Sequence, residues 1–105
     1  MRYLATVQLK AGSAVERLRE DVPVIIDAID RISKGEREAF FRSSDGILFG
    51  FFLISSREAN EVRAAIENST GFRDGDASLV VEIGDKANGV GFSRAWTWLQ
   101  HHKAK

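Results

Sequence analysis

The sequence predicts a small α+β domain whose strands form one antiparallel sheet. Residues 2–10 alternate apolar and polar side chains, which is typical of a strand buried on one face. Residues 47–54 are uncharged and apolar on both faces, as a central strand of a layered domain is. Stretches with a helical apolar period separate the predicted strands. A helix is the alternative for residues 47–54, but Gly50 and the turn-forming residues 43–46 favour a strand.

Composition limits the classes of protein that the chain can belong to. Its 105 residues include 15 Lys and Arg, 15 Asp and Glu, and no Cys. A disulfide framework and a thiolate zinc site are excluded, and the balanced charge argues against a dedicated DNA binder. No apolar run approaches the roughly 18 residues of a membrane span. Gln8 and Lys10 interrupt the first apolar residues too early for the apolar core of a signal peptide. We therefore expect a single cytoplasmic domain over residues 1–105.

A long helical pattern follows the first strand. Ser13 and Glu16 have the spacing of a capping box, and the apolar stripe behind them continues to about Ser33. Pro23 lies in the middle of this stripe, where a proline removes a backbone hydrogen bond. The pattern predicts either one kinked helix or two short helices, the second of which is capped by Asp21.

The second half of the chain predicts a hairpin, a helix, a strand and a terminal helix. Residues 36–43 form a charged edge strand that is joined to residues 47–54 by a tight turn. Ser55 to Glu58 has capping-box spacing, and Thr70-Gly71 ends the helix that follows. Residues 77–83 alternate as a fourth strand, and a short helix is expected over about residues 92–102.

This order of elements predicts a ferredoxin-like βαββαβ two-layer sandwich with strand order 4132 and an extra C-terminal helix. Both long helices should cover one face of the sheet. The alternating residues of the first and fourth strands expected under the helices are Tyr3, Ala5, Val7, Leu9, Leu79, Val81 and Ile83. The second face should carry Leu4, Thr6, Gln8, Val80, Glu82, one of Phe40 and Phe41, and half of the third strand.

The second face is the candidate functional surface, because bare apolar groups there would form a patch that monomers seldom expose. Three uses compete. The terminal helix can fold back and lay Phe92, Trp96 and Leu99 over the patch, the patch can join two copies as a homodimer, or it can bind a ligand. The residues predicted for this interaction surface are Phe40, Phe49, Phe51, Trp96 and Trp98. A non-catalytic protein-interaction or self-association module is the function that we expect.

One resemblance supports an alternative function. The segment Phe49-Gly50-Phe51-Phe52 resembles the RNP1 segment of the RNA-recognition motif, and residues 2–7 loosely resemble its RNP2 partner. The resemblance implies that Tyr3, Phe49 and Phe51 stack on the bases of single-stranded RNA. Arg42 and Arg94 are the nearby cations. The chain departs from that motif at residues 47–48, where a basic residue and a glycine are expected.

Other chemistry has weaker signals. Glu82 beside Trp96 would suit a small cofactor-free enzyme of the dimeric α+β barrel type, which is an analogy of fold alone. His101 and His102 are adjacent, so on a helix they point about 100° apart and do not chelate one metal ion. Asp74 and Asp76 have the positions of turn residues. We therefore expect neither a metal nor a cofactor.

Overall fold

The structure is a computed structural model that describes residues 1–84 and 93–102. Its elements follow the predicted order. They are strands β1 (Arg2–Gln8), β2 (Arg37–Arg42), β3 (Leu48–Ile54) and β4 (Ala77–Ile83), and helices α1 (Val15–Ser33), α2 (Ala59–Glu67) and α3 (Ser93–His101).

The four strands form one antiparallel sheet in the order β2-β3-β1-β4. Counted from the β4 edge this is the predicted order 4132, with β1 and β3 in the centre. Ala5 of β1 illustrates the register, since it lies opposite Phe51 on one side and Val80 on the other. Residues paired in this way across antiparallel strands point to the same face of the sheet.

The main core lies between one face of the sheet and helices α1 and α2. Its side chains come from alternate positions of β1 and β3 and from the inner stripe of each helix. The buried members are Tyr3, Ala5, Val7, Leu9, Val22, Ile25, Ile29, Phe49, Phe51, Leu53, Val62 and Ile66. We call this side of the sheet the helix-covered face and the opposite side the second face.

The predicted orientation of β4 is wrong. Val80, opposite Ala5, is the apolar residue of β4 that packs against the main core. Leu79 and Val81 point to the second face, where they are 60% and 44% exposed. An alternating strand tells which residues share a face, but its sequence does not say which face meets the helices.

The predicted placement of Phe49 and Phe51 on the second face is also wrong. Both rings lie on the helix-covered face and are almost fully buried, at 3% and 6% exposure. Because β3 is apolar on both sides, its alternation alone could not assign the two sets of residues to their faces. Phe52, on the other side of β3, is the large aromatic residue that this strand gives to the second face.

The N-terminal caps of α1 and α2 differ from the predicted ones, whereas α1 ends at Ser33 as predicted. Residues 15–33 form one helix that contains Pro23, so the two-helix alternative is wrong. Ala14 is the N-cap of α1, and the Ser13 hydroxyl donates instead to the carbonyl oxygen of Lys10 at 2.6 Å. The capping box of α2 lies three residues after the predicted one, with Glu58 at the N-cap and Glu61 at the third helical position.

A buried ion pair joins the start of α1 to the start of β4. The carboxylate of Asp76, whose side chain is 0% exposed, accepts hydrogen bonds from Arg17 at 2.7 and 2.9 Å. It also accepts from the backbone N–H groups of Lys10 and Arg73, each at 2.8 Å. Burial raises the pKa of Asp76, but these bonds outweigh burial and hold that pKa below its ordinary value. Hydrogen bonds from Arg17 and Arg73 likewise lower the pKa of Asp21.

The lowered pKa values predict an acid-sensitive fold. The pKa of an Asp carboxyl in the unfolded chain is about 3.9. A carboxylate whose pKa is lower than this in the folded chain stabilises the fold at pH values above about 3.9, the unfolded-chain pKa. This stabilisation is lost as the pH falls through the folded-state pKa. Urea unfolding should therefore give a free energy of unfolding that falls steeply below about pH 4. Asp76→Asn should lower the free energy of unfolding by roughly 3 kcal/mol at pH 7. The free energy of unfolding of this variant should also fall less steeply as the pH is lowered.

Asp74→Asn, in the same turn, is the matched control, because the Asp74 side chain is exposed. It should behave as the wild type does at every pH. Parallel pH curves for the wild type and the Asp76→Asn variant would contradict the role assigned to the Asp76 carboxylate.

Candidate interaction surface

The second face is built from rows of side chains that run across the strands. One row joins Glu38, Phe52, Leu4 and Val81, and the next joins Phe41, Gly50, Thr6 and Leu79. A bulge in β2 between Ala39 and Phe41 brings both Phe40 and Phe41 to this face, where one of the two was predicted.

Helix α3 covers one end of the second face. Ala95 and Leu99 are buried against Phe52, and Leu4, Phe40, Ile83, Trp96 and Trp98 surround this contact. The rings of Phe40 and Phe52 stack with their centroids 4.5 Å apart. The terminal helix thus lies on its own sheet and uses two of the residues expected for that contact, Trp96 and Leu99. The third, Phe92, lies outside the described residues.

Polar contacts hold α3 in place at both ends. The buried Arg2 guanidinium donates to the carbonyl oxygens of Leu99, at 2.9 Å, and of Gly84. Arg94 forms an ion pair with Glu38 at 2.8 Å. The Arg2 bonds satisfy the backbone carbonyls of Leu99, near the end of α3, and of Gly84, after β4, so they orient the helix as well as attach it.

His102 closes the C-terminal end of α3. Its Nδ1 lies 2.8 Å from the Trp98 carbonyl oxygen, and its ring stacks on the Trp98 indole at 4.2 Å. Its Nε2 lies 3.4 Å from the Glu36 carboxylate. His102 is therefore part of the packing of α3 on the sheet. Among residues 1–84 and 93–102 no group of His, Cys, Asp and Glu side chains could hold a metal ion.

The part of the second face that α3 leaves uncovered is an apolar patch that runs across the sheet from Phe41 on β2 to Leu79 and Val81 on β4. We define the open patch as Thr6, Phe41, Leu48, Leu79 and Val81. Leu79 and Val81 are exposed, and the other three are half-buried. The Phe41 ring fills the space over Gly50, where an added Cβ would lie 2.4 Å from its Cε1. Gly50 thus allows an aromatic ring to pack directly over the central strand.

The structure separates the residues that were predicted to act together. Phe40, Trp96 and Trp98 belong to the cluster under α3, whereas Phe49 and Phe51 lie in the main core. Leu79 and Val81 were not among the predicted surface residues, because the sequence pattern had placed them on the helix-covered face. One feature of the sequence could have indicated their exposure. The predicted strand order places β4 at the edge of the sheet, where the apolar side chains on one face of a strand can be exposed to solvent.

The residues of the RNA-binding alternative are also divided. Tyr3 is 1% exposed and donates its hydroxyl to the Arg57 carbonyl oxygen at 2.5 Å. Burial, with the nearby carboxylates of Glu82, Glu58 and Glu61, raises the pKa of that phenol. Base stacking on Tyr3, Phe49 and Phe51 would require the main core to open. Arg42 is exposed at the end of β2, and Arg94 is paired with Glu38.

The pair proposed for an enzyme does not form. Glu82 lies opposite Tyr3 on the helix-covered side, whereas Trp96 packs on the second face. The expectation that Glu82 lies on the second face is therefore wrong. A groove of about 320 Å³ lies between α1 and α2, lined by residues that include Arg31 and Ser69. A second, of about 350 Å³, lies beside the end of α1 and includes Lys34 and Glu36. Neither groove includes Glu82.

Comparison with protein-family models, with curated proteins and with solved structures gives no match. Within the described ranges, no helix has the length and apolar character needed to cross a membrane.

The burial pattern predicts opposite results for two apolar truncations. Phe51→Ala should lower the free energy of unfolding by about 3–5 kcal/mol, because it leaves a cavity in the main core. Leu79→Ala should change it by at most about 0.5 kcal/mol in the isolated chain, because that side chain is exposed. Urea unfolding of both variants, monitored by circular dichroism at low protein concentration, measures the two effects. A mild Phe51→Ala variant together with a severe Leu79→Ala variant would show that the faces are assigned the wrong way round.

Proposed function

We propose that this chain is a ferredoxin-like, cytoplasmic, non-catalytic domain that binds protein, either another protein or itself, through the open patch. The single observation that carries the proposal is the exposure of Leu79 and Val81 next to a cluster on the same face that α3 buries. Contiguous exposed apolar residues on a small domain are typical of an interaction surface. The strand order, and the two long helices against one face, favour the ferredoxin-like assignment.

The shape and chemistry of the open patch favour a protein partner. Its members are aliphatic or aromatic apart from Thr6, and they lie in rows on a sheet. Flat apolar surfaces with a polar rim are typical of protein interfaces, whereas small ligands bind in concave pockets. The nearby cation Arg94 is already neutralised by Glu38. Of the two cations expected to contact RNA, this pairing leaves Arg42, which is exposed at the end of β2, whereas binding of a phosphate backbone depends on several positive charges.

A photo-crosslinking amino acid at position 79 tests the proposal in cells that make the protein. Replacing Leu79 with p-benzoylphenylalanine keeps the position apolar and should yield protein adducts, either with the same chain or with another one. The matched control is the same substitution at Val15, which is also apolar and is 66% exposed but lies at the start of α1. Adducts should form at position 79 and be weak at position 15.

Equal adducts at both positions, or none at position 79, would overturn the proposal. Adducts that contain RNA rather than protein would support the RNA-binding alternative. Intact-mass and peptide mass spectrometry distinguish these outcomes.

A further inference from the structure

The two edges of the sheet differ in how well they are protected against pairing with another strand. The β2 edge is interrupted by its bulge and carries charged side chains at Arg37, Glu38 and Arg42. Charges and bulges of this kind prevent strand addition. The β4 edge keeps regular register with β1 over all seven of its residues, and its one charged side chain is Glu82. Within residues 1–84 and 93–102, no strand pairs with the outer side of β4.

Hydrogen bonding at the ends of β1 shows which backbone groups of β4 point outward. Met1 and Ser55 exchange both backbone bonds at 3.0 Å, and the Leu9 N–H donates to the Ile47 carbonyl oxygen at 2.7 Å. The odd-numbered residues of β1 therefore bond to β3, and the even-numbered ones bond to β4. The partners of the even-numbered residues are Ala77, Leu79, Val81 and Ile83. It follows that the N–H and C=O groups of Ser78, Val80 and Glu82 point away from the sheet.

We propose that a second copy of this chain pairs with β4 edge to edge, antiparallel, about a two-fold axis at Val80. This inference rests on the proposed function and names its partner. An axis at Val80 pairs Val80 with Val80 of the second copy, and Ser78 with Glu82 of the second copy in both directions. Each such pair exchanges two backbone bonds, so all three outward residues are used and about six hydrogen bonds form.

The side chains of β4 suit this axis on both faces. On the second face Leu79 meets Val81 of the second copy twice, which joins the two open patches into one apolar cluster. On the helix-covered side Glu82 lies opposite Ser78 of the second copy rather than opposite another glutamate, so like charges are not paired. The chain has equal numbers of acidic and basic residues, so two copies do not repel each other through net charge.

The short length of β4 predicts a dimer that depends on concentration. A seven-residue strand and two adjoining apolar residues form a contact at the small end of protein interfaces. Sedimentation equilibrium from about 10 μM to about 1 mM should show the mass rising from 11.7 kDa towards twice that value. Val80→Pro should abolish the rise, because proline removes an outward N–H at the axis while the bonds to β1 stay intact.

Val80→Ala is the matched control for the proline variant, since it loses similar packing but keeps the N–H group, and it should still dimerise. Leu79→Glu provides a second variant if Val80→Pro does not fold, because Leu79 is exposed and belongs to neither core cluster. It should weaken dimerisation at least tenfold, while Val15→Glu on α1 should leave dimerisation unchanged.

Because the chain contains no cysteine, single cysteines can locate the axis. Val80→Cys places two sulfurs opposite each other in a backbone-paired position. The two Cα atoms of such a pair lie about 5.5 Å apart, which is within the range that a disulfide can bridge. Mild oxidation should therefore link two copies. Ser78→Cys, two residues away on the same strand, should not crosslink, because its equivalent lies four residues along the paired strand, about 13 Å away.

A wild-type chain that stays monomeric up to about 1 mM overturns the dimer, whatever the outcome at position 79 in cells. If the chain is monomeric and crosslinking at position 79 in cells gives adducts with a different protein, the proposed function is supported but the dimer is not. A folded Val80→Pro variant that still dimerises, or equal crosslinking of the two cysteine variants, overturns the edge-to-edge geometry. A dimer that Val80→Pro abolishes and Val80→Cys links supports it.

Discussion

The pairing of β1 with β4 is the constraint on which the surface of this protein depends. Side chains alternate along a strand, so placing Val80 opposite Ala5 packs Val80 against the main core and turns Leu79 and Val81 outward. A slip of one residue would exchange the two sets. Asp76 is the residue before β4, and its carboxylate accepts hydrogen bonds from the Lys10 N–H, just after β1, and from Arg17 on α1. These bonds hold the start of β4 in place. Buried polar contacts of this kind can specify register where apolar packing alone would permit alternatives.

The second face is divided between intramolecular cover and exposure. Helix α3 buries the Phe40 and Phe52 stack with Ala95 and Leu99, and Arg2 fixes the helix through two carbonyl oxygens. The helix contacts one end of the sheet, so the row of Thr6 and Leu79 stays open. The same sheet therefore provides a small second core and, beside it, an apolar surface next to an edge with which no other strand pairs in the described part of the chain. This juxtaposition of exposed side chains and outward backbone groups is what makes β4 the expected contact strand.

Most of the fold could be predicted from the sequence, but the faces could not. Alternation in residues 2–10, the apolar run at residues 47–54 and two helical stripes sufficed for the element order and the strand order. Phe49 and Phe51 were misplaced because β3 is apolar on both sides. Leu79 and Val81 were misplaced because either half of β4 has enough apolar residues to face a core. The Asp76 ion pair was hidden for another reason: its partner Arg17 is distant in sequence, and an Asp-Gly-Asp segment is typical of an ordinary turn.

The most direct test of this account is the β1–β4 register, measured in solution by nuclear Overhauser effects between Hα protons in D2O. Ala5 and Val80 form a pair without mutual backbone hydrogen bonds, and in such pairs the two Cα atoms lie about 4.5 Å apart with their Hα protons facing each other. This register predicts a strong Hα–Hα cross-peak between Ala5 and Val80, and another between Val7 and Ser78. A cross-peak from Ala5 to Leu79 or to Val81 would contradict it, because the open patch would then be buried under the helices.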